Sequence, residues 1–293
     1  MNAVPNFQNQ TVGEAQRVCV KSLKTAGLDA PVLEARLLLA LVLGGGPERV
    51  LSARDEPLTS DQAERLADAI ERRSNREPLS HITGAREFWS LPFIVTPATL
   101  TPRPDTETLI EAVLDHGVGG DVRILDLGTG TGCILLALLH EWPEAQGTGV
   151  DASAEALAIA RDNAAALNLG GRAHMVEGDW TQPGWERNLN APFDVVVCNP
   201  PYIPSGDIDG LERDVKEYEP LRALDGGMDG LDAYRAIIRQ LRKLLKPQGL
   251  VAFEVGIGQA GEVANLLQDA GLAILEQRAD LGGALRVVVA QCP

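Results

Sequence analysis

Two short segments of this chain carry residue types and spacings that could do chemistry. The first is Asp126-Leu127-Gly128-Thr129-Gly130-Thr131-Gly132, which closes the apolar run Val122 to Leu127 and leads into Cys133 to Glu141. A glycine-rich turn between a first parallel strand and its helix lets a ligand lie against bare backbone. A second apolar run, Gly147 to Asp151, ends in an acid about 20 residues past that turn, placed to accept hydrogen bonds from ribose hydroxyls. Gly128, Thr129, Gly130, Thr131, Gly132 and Asp151 are thus candidate residues for binding an adenosine-containing cofactor, although a tight turn without ligand would use the same glycines. A dinucleotide fingerprint is GxGxxG, whereas here position 133 is Cys. Asp126, inside the strand, would repel a pyrophosphate but not a cationic amino-acid tail. S-adenosyl-L-methionine, with a sulfonium, an ammonium and no phosphate, suits that environment.

The second segment is Asn199-Pro200-Pro201-Tyr202, directly after the strand-like Phe193 to Cys198. Two prolines end the ladder and remove two backbone donors while their carbonyls remain acceptors. The Asn199 side chain adds a carbonyl and the Tyr202 ring a flat wall. This set suits a planar –NH2 group: Asn199 Oδ1 and the Pro200 carbonyl each accept one N–H while the ring stacks on the plane. Accepting both hydrogens localises the nitrogen lone pair and aims it at a methyl donor. Asn199, Pro200 and Tyr202 are the candidate catalytic residues. Asn199, Pro200, Pro201 and Tyr202 are the candidate substrate-binding residues, with Asn199 also beside the cofactor. A rigid loop with a chance Asn is the bland alternative.

The elements that must position these loops alternate. Strands are predicted at 122–127, 147–151, 173–177, 193–198, 250–255, 273–277 and 285–290. Helices are predicted at 133–141, 154–167 (capped by Ser153), 231–245 (ended by Lys246-Pro247) and 261–270. Apolar strands alternating with amphipathic helices imply a parallel sheet covered on both faces. Upstream, Val12 to Ala26 has helical spacing. Asp29 can cap a helix with Pro31 in its first turn, stopped after Leu43 by glycines, and Thr59 with Gln62 makes a capping box for a helix through Arg72. Ile82 to Leu100 reads as a short hairpin. Thr106 or Asp105 caps a helix through His116. The fold class is α/β: a helical domain at 1–78, a β-hairpin linker at 79–105 and a Rossmann-like domain at 106–293.

With 293 residues, two domains are expected. The formal net charge of −15 opposes a grip on nucleic acid, which needs surplus cations, and favours a cationic or neutral macromolecular partner. Cys19, Cys133, Cys198 and Cys292 are too scattered for a zinc site or a disulfide framework and read as reduced thiols of a cytoplasmic protein. His81, His116, His140 and His174 lack metal-ligand spacing, so no metal is expected. Met1 to Gln10 is polar and predicts no signal peptide, and the apolar run Leu37 to Leu43 is too short to span a membrane. Glu254, with Gly256 and Gln259, could line the site but reads as a satisfied strand-end carboxylate. Arg86, Glu87, Arg103, Asp105 and Glu107 are either a solvated ion-pair cluster or a docking patch. Glu64, Asp68, Glu71 and Arg72 read as an exposed helix face.

The glycine loop, the acid ending the second strand and Asn-Pro-Pro-Tyr together resemble the amino methyltransferases that use S-adenosylmethionine, on a seven-stranded sheet. Within them an exocyclic nucleobase amine and a glutamine amide compete as acceptor. The stretches Arg76-Glu77-Pro78-Leu79-Ser80-His81-Ile82-Thr83-Gly84-Ala85-Arg86-Glu87-Phe88-Trp89 and Leu100-Thr101-Pro102-Arg103-Pro104-Asp105-Thr106-Glu107 resemble bacterial peptide chain release factor glutamine methyltransferases over essentially the whole chain. The related ribosomal-protein glutamine methyltransferases usually differ at Arg-Pro-Asp-Thr-Glu. They and nucleic-acid adenine-N6 methyltransferases are the alternatives. The resemblance implies S-adenosyl-L-methionine as cofactor and release factors as protein partner, with methyl transfer to the glutamine N5 of their Gly-Gly-Gln motif. It also implies Trp180 beside the adenine. A cytoplasmic monomer is expected, with the helical domain docking the substrate.

Overall fold

In the computed structural model residues 5–293 are described, so the Met1–Gln10 reading falls partly on residues outside it. The chain forms two compact units, one of residues up to Gly84 with Arg213–Tyr218, the other of Ala85–Glu212 with Glu219–Pro293.

The first unit is helical: α1 (Val12–Thr25), α2 (Pro31–Leu43), α3 (Pro47–Ser52), α4 (Ser60–Ser74) and α5 (Leu79–Thr83). Thr11 with Glu14 and Thr59 with Gln62 close capping boxes on α1 and α4, satisfying amides that the first helical turn leaves unpaired. Asp29 does not cap α2. The cap position is Ala30, which makes no side-chain cap bond, and Pro31 starts the helix with its preset φ. Leu23, Leu38, Leu39, Leu66 and Ile70 are fully buried in its core. Arg73 of α4 reaches Glu34 of α2 through two bonds of 2.6 and 3.1 Å. The segment Arg213–Tyr218 joins this unit through the Tyr218 hydroxyl, which donates to the Asn75 carbonyl at 3.1 Å, and through Asp214, 4.0 Å from Arg73.

The second unit opens with the hairpin β1 (Ala85–Phe88) and β2 (Leu91–Ile94). Its two-residue turn, Trp89-Ser90, has positive φ at both positions, the turn whose twist matches paired strands. After a 3-10 turn at Pro104–Thr106 come α6 (Glu107–Asp115), β3 (Arg123–Leu127), α7 (Cys133–Glu141), β4 (Gln146–Asp151), α8 (Ala154–Ala166), β5 (Ala173–Glu177) and β6 (Phe193–Cys198). Next follow α9 (Asp232–Ile238), α10 (Leu241–Leu244), β7 (Leu245–Glu254), α11 (Ala260–Asp269), β8 (Ala273–Ala279) and β9 (Leu285–Gln291). Thr106 makes no side-chain cap bond, whereas Ser153 accepts the Ala156 amide at the start of α8.

The seven strands run in the order β5-β4-β3-β6-β7-β9-β8. The sheet is not wholly parallel: β9 is antiparallel to both β7 and β8. The five residues between β8 and β9 are too few for the crossover that parallel neighbours require. The predicted 231–245 helix breaks at Arg239-Gln240 and ends at Leu244. Lys246-Pro247 lies in β7, where Leu245 already pairs with Phe193 and Lys246 Nζ holds the Asp194 carboxylate at 2.8 Å. Side chains alternate between two cores. Ile124, Val195, Val197 and Ala252 pack on the face covered by α6 and α7, and Leu125, Val196, Cys198 and Phe253 on the face covered by α9 and α11. This register delivers the ends of β3, β4 and β6 side by side.

Candidate functional site

The switch in strand order lies at β3, whose neighbours are β4 on one side and β6 on the other. In such sheets a crevice opens beyond the carboxyl ends of the strands. Here a cavity of about 640 Å³ lies within the second unit, lined by Gly128, Thr129, Gly130 and Thr131 after β3, Asp151 at the end of β4, and Asn199 and Pro201 after β6. Trp180, after β5, also lines it. Gly132, Pro200 and Tyr202 do not.

The glycine loop bends through left-handed conformations at Gly128 and Gly130, with φ of 72° and 53°. Such angles strain any residue with a Cβ. At Gly128 a Cβ would also sit 3.1 Å from the Trp180 ring, which covers the loop. Asp151 ties the loop down, one carboxylate oxygen accepting the Gly130 N–H and the other the Ser153 N–H. Each oxygen keeps lone pairs for further donors. From the other side Asn163 of α8, fully buried, donates to the Thr131 carbonyl at 2.9 Å and pairs with both the N–H and the C=O of Ile94. The hairpin is thereby fastened to the glycine loop.

Asp126 is fully buried beneath the loop, and burial pushes its carboxyl up to about 7 despite the Thr129 hydroxyl donating to it at 2.6 Å; the nearby Asp151 charge adds to the rise. Among the described residues its Oδ1 has no hydrogen-bond partner. An orphaned buried carboxylate oxygen lacks only a donor, best a cationic one.

On the β6 side, the Asn199 amide nitrogen donates to Thr106 Oγ1 at 3.4 Å, and Thr106 itself lines the cavity. Tyr202 sits behind that wall, and burial raises its phenol to about 12, so the ring stays neutral. Glu254, at the end of β7, is satisfied in part, with the Thr106 and Tyr202 hydroxyls bonded to its carboxylate. It is buried, its Oε2 has no partner, and burial pushes it up to about 7 although Thr106 and Arg286 pull it down.

The structure also divides the charged cluster around the 3-10 turn. Arg103 lines the cavity and donates to the buried Glu219 at 2.7 Å. Asp105 pairs with Arg286 at 3.0 Å, and Glu107 accepts the Trp89 amide at 2.8 Å. Arg86 and Glu87 are exposed on β1. Residue spacing gave no signal for Asp179 and Arg222, which face each other at 3.2 Å on the cavity wall. They are far apart in the chain, and only the fold of the segment after Tyr202 brings Arg222 back over Ala152 and Asp179.

Comparison with known proteins agrees with this geometry. Residues 14–84 match the family described as PrmC N-terminal domain, and residues 119–269 the one described as methyltransferase domain. Among solved structures, a methyltransferase from Pyrococcus furiosus superposes with a TM-score of 0.51 at 16% identity, over 69% of this chain and 88% of that one, which speaks for the fold alone. Among curated relatives, the release factor glutamine methyltransferase of Rhodospirillum rubrum is 49% identical over 92% of this chain and 81% of its own length. Those of Bradyrhizobium diazoefficiens and Caulobacter vibrioides are each 43% identical, covering 97% and 95% of this chain and 96% of their own lengths. Relatives this close, matched nearly end to end, place the chain in their family: it belongs to the release factor glutamine methyltransferases.

Proposed function

We propose that this protein moves a methyl group from S-adenosyl-L-methionine to the side-chain N5 of the glutamine in the Gly-Gly-Gln motif of peptide chain release factors. The observation that carries this reading is a single cavity walled on one side by the glycine loop with Asp151 and on the other by Asn199 and Pro201.

The residues present fit the cofactor. Asp126 offers its unpartnered buried oxygen to an ammonium, Asp151 its free lone pairs to ribose hydroxyls, and Trp180 a flat surface to the adenine. The cofactor supplies an electrophilic methyl on a sulfonium. The chain's own contribution is positional. Asn199 turns its amide nitrogen toward Thr106 at 3.4 Å and offers Oδ1 as an acceptor for one N–H of the target amide, and the Pro200 carbonyl is the acceptor for the other. An amide nitrogen is a weak nucleophile because its lone pair is delocalised. Holding both hydrogens in fixed acceptors directs that pair and stabilises the positive charge that develops on nitrogen. Tyr202, kept neutral, backs the Asn199 wall without adding charge. The net charge of −15 suits a partner other than nucleic acid, and the helical first unit is the element we assign to docking the release factor in the cytoplasm.

The test is mass spectrometry of release factor after incubation with the protein and S-adenosylmethionine. One added methyl on the peptide bearing Gly-Gly-Gln supports the reading. Transfer to duplex DNA or to a ribosomal protein in preference to release factor refutes it.

A further inference from the structure

Between Asn199 and Tyr202 the main chain offers few donors to hold it. Pro200 and Pro201 have no N–H to donate. The Asn199 side chain reaches Thr106 only at 3.4 Å. The firm tether is at the far end, where Gln259 Nε2 donates to the Tyr202 carbonyl at 2.9 Å. The same nitrogen faces the Gly230 carbonyl at 3.5 Å, and Oε1 accepts the Gly256 N–H at 3.0 Å. One carboxamide thus joins three loops: the one after β6, the one before α9 and the one after β7.

The surroundings are built around that group. A Cβ at Gly256 would lie 2.6 Å from Gln259 Oε1 and 3.1 Å from the Tyr202 ring. A Cβ at Gly230 would lie 2.5 Å from Gln259 Nε2 and 2.3 Å from the Tyr202 carbonyl. The contact with the Tyr202 carbonyl is closer than real side chains permit, and the Gln259 carboxamide would have to leave its place for a Cβ at either position, so these glycines make the slot that Gln259 fills. The slot needs a donor and an acceptor on one planar end. An aliphatic side chain has neither, and a carboxylate would set a negative oxygen against two carbonyls. Downstream, the Ile203 N–H bonds the Leu224 carbonyl and the Gly226 N–H the Ile203 carbonyl, which carries the restraint onward to the cavity wall at Gly226.

We propose that Gln259 is a positioning residue for methyl transfer: by gripping Tyr202 it sets where Asn199 and the Pro200 carbonyl meet the target amide. This rests on the reading of that loop as the amide cradle. Gln259 does not line the cavity, so its effect belongs on turnover and not on cofactor affinity.

Gln259→Leu and Gln259→Glu test this in the full chain, with folding checked by circular dichroism and cofactor affinity by calorimetry. We expect cofactor affinity within about twofold of wild type and kcat on release factor lowered roughly 10- to 100-fold, the scale of a small misplacement at a reacting centre. Relative to wild type, Gln259→Glu should recover as pH falls, because a protonated carboxyl donates to Tyr202 and accepts from Gly256 as the amide does. Gln259→Leu should not recover. Wild-type kcat in Gln259→Leu, or a parallel loss of cofactor affinity and kcat, overturns the proposal. Amide hydrogen exchange gives a readout independent of the acceptor: exchange at Gly256 and Ile203 should quicken in Gln259→Leu, and unchanged protection overturns the clamp. If wild type itself transfers no methyl to release factor, the acceptor assignment fails, and the exchange data still decide the clamp.

Discussion

Asp151 accepts the main-chain N–H of Gly130 at 2.9 Å, so the acid that ends β4 shapes the glycine loop after β3 as well as facing the cavity. Its other oxygen takes the Ser153 N–H and starts α8. One carboxylate thus ties together the glycine loop, the start of α8 and the cavity wall.

Asp151→Ala should therefore weaken cofactor binding at least tenfold, by losing charged acceptors worth about 1.5–3 kcal/mol each and by freeing the loop. Gly130→Ala should weaken it as well, since its left-handed φ of 53° strains a residue with a Cβ and Gly130 lines the cavity. Calorimetric titration showing unchanged affinity in both variants would refute the assigned cofactor site.

Asn199→Ala should cut kcat on the order of 100-fold while cofactor affinity stays near wild type, because it removes an oriented acceptor that only the target amide uses. Tyr202→Ala should lower activity as well, because it removes the ring behind Asn199 together with its hydrogen bond to the buried Glu254. Single-turnover rates separate these outcomes. Near-normal turnover in Asn199→Ala means the loop is only structural.

Asp126 gives a pH signature. Its folded-state value of about 7 lies above the ordinary 3.8, so the empty protein binds this proton more tightly folded than unfolded. Stability from this group is present at low pH and is lost as pH rises from about 4 toward 7, a change on the order of a few kcal/mol. Asp126→Asn should flatten that fall in chemical denaturation of the cofactor-free protein. For the cofactor the sign reverses. A cationic ligand prefers the ionised carboxylate, so affinity should rise between pH 6 and 8 in wild type and stay level in Asp126→Asn. A cofactor affinity independent of pH in wild type would remove Asp126 from the ammonium site.

A fragment starting at Ala85, where the second compact unit begins, should still bind S-adenosylmethionine once circular dichroism confirms folding, and should transfer little methyl to intact release factor. A single glutamine side chain buries too little surface for a specific interface, which needs roughly 800 Å² on each partner. Full-length rates from the folded fragment would move docking to the catalytic unit alone.

Much of this protein was written in local sequence. Two capping boxes, the glycine loop, the acid closing β4 and Asn-Pro-Pro-Tyr after β6 are short-range signals, each set by backbone propensity or by the donors and acceptors of neighbouring residues. Helix α7 and strands β5 and β6 fall where their patterns put them, because period and length both pointed one way. What local pattern could not decide was direction and company. Lys246-Pro247 reads as a helix stop, yet it enters β7 because Asp194 on the neighbouring strand holds Lys246. The reversal of β9 comes from a connection too short to cross over. Glu254 reads as a satisfied strand end, but only the packed sheet shows that no donor reaches its Oε2. Asp105 and Glu107 read equally as ion-pair or docking charges, and only the fold shows that Arg286 and the Trp89 amide, distant in sequence, are their partners. Hydrogen-bond partners that lie tens to hundreds of residues away leave no local periodicity. They are settled only when side chains compete for the same donors in three dimensions.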